Sequence, residues 1–535
     1  MFSLNIKSIA TLFIKAFIIL VLFNLADVLY HKYNSNYDTI EIFTFNLWFY
    51  LNIVAILLFK NLYIRIAFLS ILLMSILFEF LHYQYFGTYI QPISFYQFAN
   101  NTDEVFLSFF DEIKNMIIPF IIVFAITISI AVLNITKKIN SYRNTLLGSL
   151  LLIISFIYGG VITHKNLHLK SGKLLDKQAR KLLPMPKNHS AVNFARSLNY
   201  FLIGIVPKKI LANNSEKFPI LKEPKLKEKN INANIVFIIG ESLRAKQLHI
   251  LGYNLNTTPT LEKLDGIFAN TIFATGVVTK SSVSAILNRV KYPGLTSQMV
   301  QMKNNLFYLA KNIGFNTYFY SQQSNSSLKI LKNFIGLRYI DEYASREMLK
   351  KKLKHAKGYD IKLLQALQTV NLNNNNFVVL HMRGSHSPYH KQYPKKFNKF
   401  KNPYNNTVLY TDYFLNEVIK YLKQNSKKPT YIIFTSDHGE LLHEHGRNGH
   451  GWFFKEVYRV PFIFYAINSD KNLPLDKIQS HFHVATLVAK LLGYDVNIQK
   501  EDTIYVNGSD IDGLAGYLKI KVDKDNKELK VKEIR

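Results

Sequence analysis

The sequence predicts a two-part protein, an α-helical transmembrane bundle of five spans followed by an α/β catalytic domain. Three observations carry this. Five long apolar stretches crowd the first third of the chain. From Asn234 onward, short apolar strands alternate with helical stretches. Directly after several of those strands stand carboxylates, histidines and hydroxyls, the residue types that hold metals and move phosphoryl groups.

The apolar stretches run approximately over Ile9–Tyr30, Ile40–Phe59, Leu62–Leu81, Met116–Leu133 and Leu146–Ile162, long enough for roughly 30 Å of hydrocarbon. A cleaved signal peptide does not account for the first, because four more follow it. Orientation follows from Lys and Arg in the short loops. Lys7 and Lys15 flank the first stretch, Lys60 and Arg65 lie between the second and third, and Lys137, Lys138 and Arg143 between the fourth and fifth. With those loops in the cytoplasm, a loop at about 86–115 carrying Asp103, Glu104, Asp111 and Glu112 lies outside, as does everything beyond residue 163. Lys165, Lys170, Lys173 and Lys177 run against this rule, but long translocated segments tolerate such charge. The expected division is therefore a transmembrane domain over 1–163, a connector over 164–231 and a catalytic domain over 232–535. Within the connector, Ala191–Val206 has apolar residues at helical spacing, suited to lying on the bilayer or packing on the catalytic domain.

Composition bounds the partners. The net charge of +30 calls for an anionic one, and the membrane segments favour an anionic bilayer surface over nucleic acid. A compositional bias that inflates Lys, Asn and Ile is the alternative source of that charge. The chain has no cysteine, which excludes disulfides, thiolate metal sites and a Cys nucleophile.

In the catalytic half the pattern predicts strands at Ile235–Ile239, Thr317–Tyr320, Phe377–His381 and Tyr431–Thr435. Helices fall between them at Leu306–Asn312, Asp360–Val370 and Thr407–Gln424. Ligands of such sheets bind outside the carboxyl ends of the strands, so polar residues directly after a strand are the candidates. Glu241 follows the first strand as a possible metal ligand, or as an ordinary surface or helix-start Glu. Asp437 and His438 follow the last, one hard oxygen and one imidazole, a pairing suited to zinc or manganese. His443, His445 and His450 come next, and a solvated loop accounts for the first two. Thr279 opens an expected helix over Ser281–Val290. It is either an N-cap or a nucleophile at a helix terminus that stabilises phosphate, with Thr275 and Ser281 as nearby alternatives. His386, in a turn after Phe377–Leu380, could meet a phosphate oxygen or protonate a leaving group.

Taken together, these segments resemble the membrane phosphoethanolamine transferases of Gram-negative envelopes, in the alkaline phosphatase and sulfatase superfamily. The resemblance rests on Gly240-Glu-Ser-Leu-Arg-Ala245, Gly252-Tyr253, Thr257-Thr-Pro259, the Thr279 helix start, Gly384-Ser-His386-Ser-Pro388, Asp412-Tyr413 and Ser436-Asp-His-Gly-Glu440, in that order, behind five spans. It implies an alkaline-phosphatase/sulfatase-like catalytic domain in the periplasm, anchored in the inner membrane by several passes. Glu241, Thr279, Asp437 and His438 would then ligate zinc, with Thr279 carrying phosphoethanolamine covalently. His386 and His450 would assist at the substrate phosphate or at a second metal. The implied donor is phosphatidylethanolamine, and the implied acceptor is an anionic glycolipid such as lipid A or a lipopolysaccharide core sugar. That acceptor class implies an effect on polymyxin susceptibility. The chain departs from the family in lacking disulfides, in placing Lys280 after the nucleophile position, and in the stretch after His450. A lipoteichoic-acid-synthase-like glycerol-phosphate transferase, usually with manganese and phosphatidylglycerol, is the alternative enzyme. A sulfatase would need a Cys, or a serine motif that Ser282-Val-Ser284 lacks. From another class, a membrane-tethered protein without catalysis would keep the fold and lose the metal.

Overall fold

The computed structural model describes residues 6–33, 47–86, 89–92, 94–95, 98, 117–134, 142–168, 190–206, 218–328, 331–353, 358–511 and 515–534. The chain divides into two compact units, Met1–Asn214 and Ser215–Arg535.

In the first unit helices occupy all five apolar stretches, at Ile6–Tyr33, Leu47–Leu57, Leu62–Phe86, Ile117–Asn134 and Tyr142–His168. Lys7–Tyr30 and Leu62–Gln84 are long and apolar enough to cross a membrane; Leu47–Leu57, Ile117–Ile130 and Tyr142–Tyr158 are shorter apolar helices. Most of the loop expected at 86–115 lies outside the described residues. A further helix, Ser190–Tyr200, belongs to this unit, where Ala191 and Val192 join the apolar core. It bonds to carboxylates of the bundle: the Ser190 backbone N–H donates to Asp27 Oδ2 (3.0 Å), the Ser190 hydroxyl to Asp27 Oδ1, and Asn193 Nδ2 to Glu79 Oε1 (2.7 Å). The amphipathic spacing therefore buries one face of this helix in the helical unit itself.

The second unit is built on a seven-stranded sheet of order β2-β9-β6-β1-β5-β3-β4. Its strands are β1 (Asn234–Gly240), β2 (Phe268–Phe273), β3 (Asn316–Ser321), β4 (Glu342–Ala344), β5 (Asn376–His381), β6 (Thr430–Ser436) and β9 (Arg459–Ile467). A hairpin, β7 (Leu441–Leu442) and β8 (Asn448–Gly449), and an antiparallel sheet of β10 (Thr503–Asn507), β11 (Tyr517–Val522) and β12 (Glu528–Ile534) complete it. The four strands expected from sequence form the parallel centre: β1 pairs with both β5 and β6, and β5 with β3. Every residue of β1 and β6 is buried, as continuous apolar runs require when helices cover both faces.

Helices fall where expected, with shifted ends. Leu306–Asn312 is found unchanged, capped by Asn305 Oδ1, which accepts from the Phe307 and Tyr308 N–H groups. The helix expected over Thr407–Gln424 starts earlier, at Pro403, because the Asn402 side chain caps it and proline takes the first turn. The helix expected over Ser281–Val290 runs Thr279–Leu287, with Val278 in the N-cap position. Thr279 is thus not a capping residue, and its hydroxyl is left for other chemistry.

Candidate active site

The carboxyl edge of the sheet is where the candidate residues meet. β1 and β6 are hydrogen-bonded neighbours in register, Gly240 opposite Ser436, so the residues that follow them, Glu241 and Asp437, emerge side by side. The turn after β1 is fixed from several directions. Ser242 adopts a left-handed backbone (φ 59°), its N–H donates to Asp437 Oδ1 (3.1 Å), and the Leu243 N–H donates to Ser436 Oγ (2.8 Å). The Tyr404 hydroxyl donates to the Ser242 carbonyl (2.7 Å) and accepts from the Arg244 N–H (3.0 Å).

Four ligand-type atoms converge there. Thr279 Oγ1 donates to Glu241 Oε2 (3.1 Å) and lies 3.3 Å from His438 Nε2. His438 Nε2 lies 3.5 Å from Glu241 Oε1 and 3.3 Å from Asp437 Oδ2. His438 Nδ1 is 2.9 Å from the Gly439 carbonyl, which can only accept. The proton therefore sits on Nδ1 and Nε2 offers a lone pair to the cluster. Asp437 Oδ2 is buried without a hydrogen-bond partner. Lone pairs facing one another in a dry site repel unless a cation lies between them, so this donor set fits a divalent metal.

Electrostatics supports the same reading. Burial would raise the Glu241 carboxyl, and only positive charge in the site, from protonated imidazoles led by His438, draws it down to about 2; with His438 neutral that charge has to come from elsewhere. Burial, with the Glu241 charge beside it, pushes Asp437 well above the ordinary carboxylate range. Two carboxylates this close cannot both ionise without an added positive charge.

His386 and His450 line the edge of this cluster. The His450 ring lies 4.2 Å from that of His438 and 6.2 Å from that of His386. His386 Nδ1 is 3.0 Å from Arg383 Nη2, which only donates, and 2.5 Å from the Ser387 carbonyl, which only accepts. Those two contacts demand opposite protonation states at Nδ1, so only one of them is a hydrogen bond at a time, and Nε2 remains the atom for proton transfer. His443 and His445 are exposed, and His445 stacks on Phe454 and lies 3.6 Å from Glu456. Neither joins the cluster. Of the alternative hydroxyls, Thr275 Oγ1 faces His481 and Ser281 Oγ donates to the Val278 carbonyl, so Thr279 alone of the three meets Glu241 and His438.

Residues not singled out from the sequence hold the candidates in place. Gln323 Nε2 donates to Glu241 Oε2 (2.8 Å) and to the Met382 carbonyl (3.0 Å), while its Oε1 accepts from Arg383 Nη1 (2.6 Å). It stands just past β3, on the edge that the strand-end rule points to. Asp360, raised to about 6 by burial, accepts the Arg383 and Gly384 N–H groups (2.7 and 2.9 Å) and anchors the His386 turn. Gly384 is required by contact: a Cβ there would sit 2.8 Å from the Glu241 carbonyl oxygen, and its φ is +51°. His481 accepts the Thr275 N–H at Nδ1 (3.2 Å), so its Nε2–H donates to the Ser436 carbonyl (2.9 Å). Ser282 Oγ, on the Thr279 helix, donates to the Asp437 carbonyl (2.5 Å). Other motif residues prove architectural. Asp412 accepts from the Thr260 and Leu261 N–H groups and fixes the turn that follows Pro259.

The parallel centre of the sheet gathers at its carboxyl edge a carboxylate, an Asp-His pair and a helix-terminal hydroxyl, the residue types that phosphoryl- and sulfuryl-ester chemistry uses. Residues 233–494 match the sulfatase family model. Phosphoethanolamine transferase EptA of Helicobacter pylori is 27% identical over 424 residues, covering 72% of this chain and 74% of that protein. Kdo(2)-lipid A phosphoethanolamine 7''-transferase of Escherichia coli is 28% identical over 287 residues, 49% of each chain. The chain thus spans about half the length of that second relative. The integral membrane lipooligosaccharide phosphoethanolamine transferase A of Neisseria meningitidis aligns structurally over 92% of this chain and 96% of its own, with a TM-score of 0.46 and 17% identity. The two sequence relatives bear the names of the family that the motifs resemble.

Proposed function

We propose that this protein transfers phosphoethanolamine from phosphatidylethanolamine to an envelope glycolipid, lipid A or a core sugar, through a phospho-threonine at Thr279. The observation that carries the reading is the Thr279 hydroxyl, at the first residue of its helix, 3.1 Å from Glu241 Oε2 and 3.3 Å from His438 Nε2. Relatives named as phosphoethanolamine transferases support the group transferred and the acceptor class.

In the first half-reaction Thr279 Oγ1 attacks phosphorus, the bond to the diacylglycerol oxygen breaks, and diacylglycerol leaves as the alcohol. Glu241 Oε2 is the nearest acceptor for the threonine proton, and His386 Nε2 the group at the rim suited to protonate the departing oxygen. The N–H groups at the start of the Thr279 helix face the phosphoryl oxygens and favour their charge. In the second half-reaction an oxygen of the acceptor attacks the phospho-threonine, and Thr279 is released as the alcohol. Glu241, Asp437 and His438, with Thr279 Oγ1, would hold a zinc ion, which supplies Lewis-acid stabilisation of the phosphoryl charge and lowers the hydroxyl pKa. A second metal would draw on His386 and His450. Five membrane passes, an inner-membrane location and a periplasmic catalytic unit complete the proposal, and the two long apolar helices support the membrane part of it.

Lipid mass spectrometry of cells with and without the protein tests the reading. The expected result is phosphoethanolamine gained on a glycolipid and diacylglycerol released, both lost in Thr279→Ala. Glycerol phosphate in place of phosphoethanolamine would select the lipoteichoic-acid-synthase-like alternative, and an unchanged lipid profile would favour a non-catalytic tether. Unchanged polymyxin susceptibility alongside a modified glycan would move the acceptor away from lipid A.

A further inference from the structure

At the far end of the Thr279 helix the chain does something unexpected for its sequence position. The helix closes with two reversed hydrogen bonds, the Val290 N–H to the Ala285 carbonyl (3.0 Å) and the Arg289 N–H to the Ile286 carbonyl (3.2 Å). This double closure puts residue 289 in the left-handed region (φ 49°), the place where glycine is strongly preferred. The sequence places an arginine there. Its side chain is buried, 5% exposed. Nη1 donates to Asn304 Oδ1 (2.7 Å), Nε has no partner, and among the described residues no carboxylate forms an ion pair with it. Burial lowers its pKa to about 10, with no opposite charge offsetting the effect. A cation near a helix C-terminus gains something from the helix dipole, but less than a desolvated charge loses.

Arg289 lines a cleft of about 360 Å³ between the end of the connector, a linker at Leu221–Lys225, and the surface of the α/β unit. Lys222 and Lys225 line the same cleft from the linker, with Phe482, Glu223 and Asp495. Glu223 is engaged elsewhere, accepting from the Tyr308 hydroxyl (2.7 Å) with Lys303 3.9 Å away. Asn304 Nδ2 donates to the Leu221 carbonyl (2.7 Å), which locks the linker against the arginine's partner. With Glu223 engaged elsewhere, three cations and the single carboxylate of Asp495 line one cleft, and one of the cations is buried, without an ion-pair partner and held by a backbone conformation that disfavours it.

We propose that this cleft, with Arg289 at its base and Lys222 and Lys225 at its rim, is a binding site for a phosphate-type oxyanion, separate from the Thr279 centre. The occupant is either a soluble phosphate or the phosphate of an anionic lipid headgroup. A planar guanidinium offers paired donors to such an oxyanion, and two exposed lysines at a rim would close over it.

The test uses the full chain in neutral detergent micelles, titrated with inorganic phosphate while thermal unfolding is followed. Phosphate should raise the melting temperature of wild type and of Thr279→Ala, since ligand binding stabilises the folded state. Arg289→Gly relieves the left-handed backbone and removes the buried charge, so it should fold with unchanged or higher stability in phosphate-free buffer. It should lose the phosphate-dependent shift. The exposed double change Lys222→Ala/Lys225→Ala should weaken the phosphate dependence several-fold. A shift that persists in full in both Arg289→Gly and the lysine double variant overturns the proposal, as does the absence of any shift in Thr279→Ala. Should Arg289→Gly fail to fold, the lysine variant decides alone. Repeating the titration in micelles doped with phosphatidylglycerol separates the sources: a lipid occupant abolishes the effect of free phosphate, and a soluble one leaves it intact.

Discussion

The floor and the rim of the candidate site are built by different means. The floor, Glu241, Asp437 and His438, emerges from adjacent parallel strands and is fully enclosed. Each of its members is held by a backbone or buried side-chain contact, from Ser242, Gly439 and Gln323. The rim, His386 and His450, sits on loops, partly exposed, and its contacts at His386 Nδ1 exclude one another. The difference teaches where rigidity and adaptability belong. A metal needs ligand atoms fixed to a fraction of an ångström, which a sheet register provides, whereas groups that meet a large lipid substrate need to move with it.

That contrast can be broken at the nucleophile first. Thr279→Ala should reduce transfer at least about a thousandfold, since an activated nucleophile has no substitute nearby. Labelled donor and quantified product measure it, and near-normal turnover would discard the covalent intermediate. A floor change, Asp437→Asn, should lower activity by about a hundredfold or more and strip the metal, read by elemental analysis of the purified chain. His386→Ala, on the rim, should cost about a hundredfold in kcat while leaving in place the ion held by Glu241, Asp437 and His438. If it also loses the metal, the floor-and-rim division is wrong. Gln323→Leu sits between the two: removing the donor that orients Glu241 should weaken metal binding about tenfold to a hundredfold, with little effect on the melting temperature.

The smallest effect concerns acid stability. Burial lowers His381 to about 4 and His481 to about 3 from the ordinary 6.5. Both stay neutral in the folded protein where the unfolded chain takes up protons. The stability they confer is therefore fully present above pH 6.5 and is lost as the pH falls through 4 and then 3. A tenfold difference in proton affinity between the folded and unfolded chain corresponds to about 1.4 kcal/mol, so the two shifts together set an upper bound of about 8 kcal/mol on the loss. Denaturant midpoints at neutral and acid pH, in metal-free buffer, check this, and His481→Asn should flatten the slope.

Several elements were legible because they rest on local pattern. The four central strands, the helix Leu306–Asn312 and the helices at all five apolar stretches follow from hydrophobic periodicity and length. β9 was not, since it leaves the short helix Lys455–Tyr458 without any turn signal, and β4 is three residues long. Glu241, Asp437, His438 and Thr279 could be singled out because strand ends and a helix start are visible in the sequence. Gln323 is visible by the same rule but lacks the chemistry that draws notice. Asp360 and His481 act through backbone groups far away in sequence, which no local pattern displays.

By itself, then, the sequence determined the division into an apolar helical part and an α/β part, the strand ends and the menu of reactive side chains, because periodicity and residue chemistry are local properties. Only the tertiary structure decided that Thr279 rather than Thr275 or Ser281 meets Glu241 and His438, that His443 and His445 stand apart, and that the helix Ser190–Tyr200 packs within the helical unit. It also decided that an arginine would be sealed at a glycine position beside two lysines. The physical reason is the same in each case: distances between side chains far apart in sequence are set by strand register and helix packing.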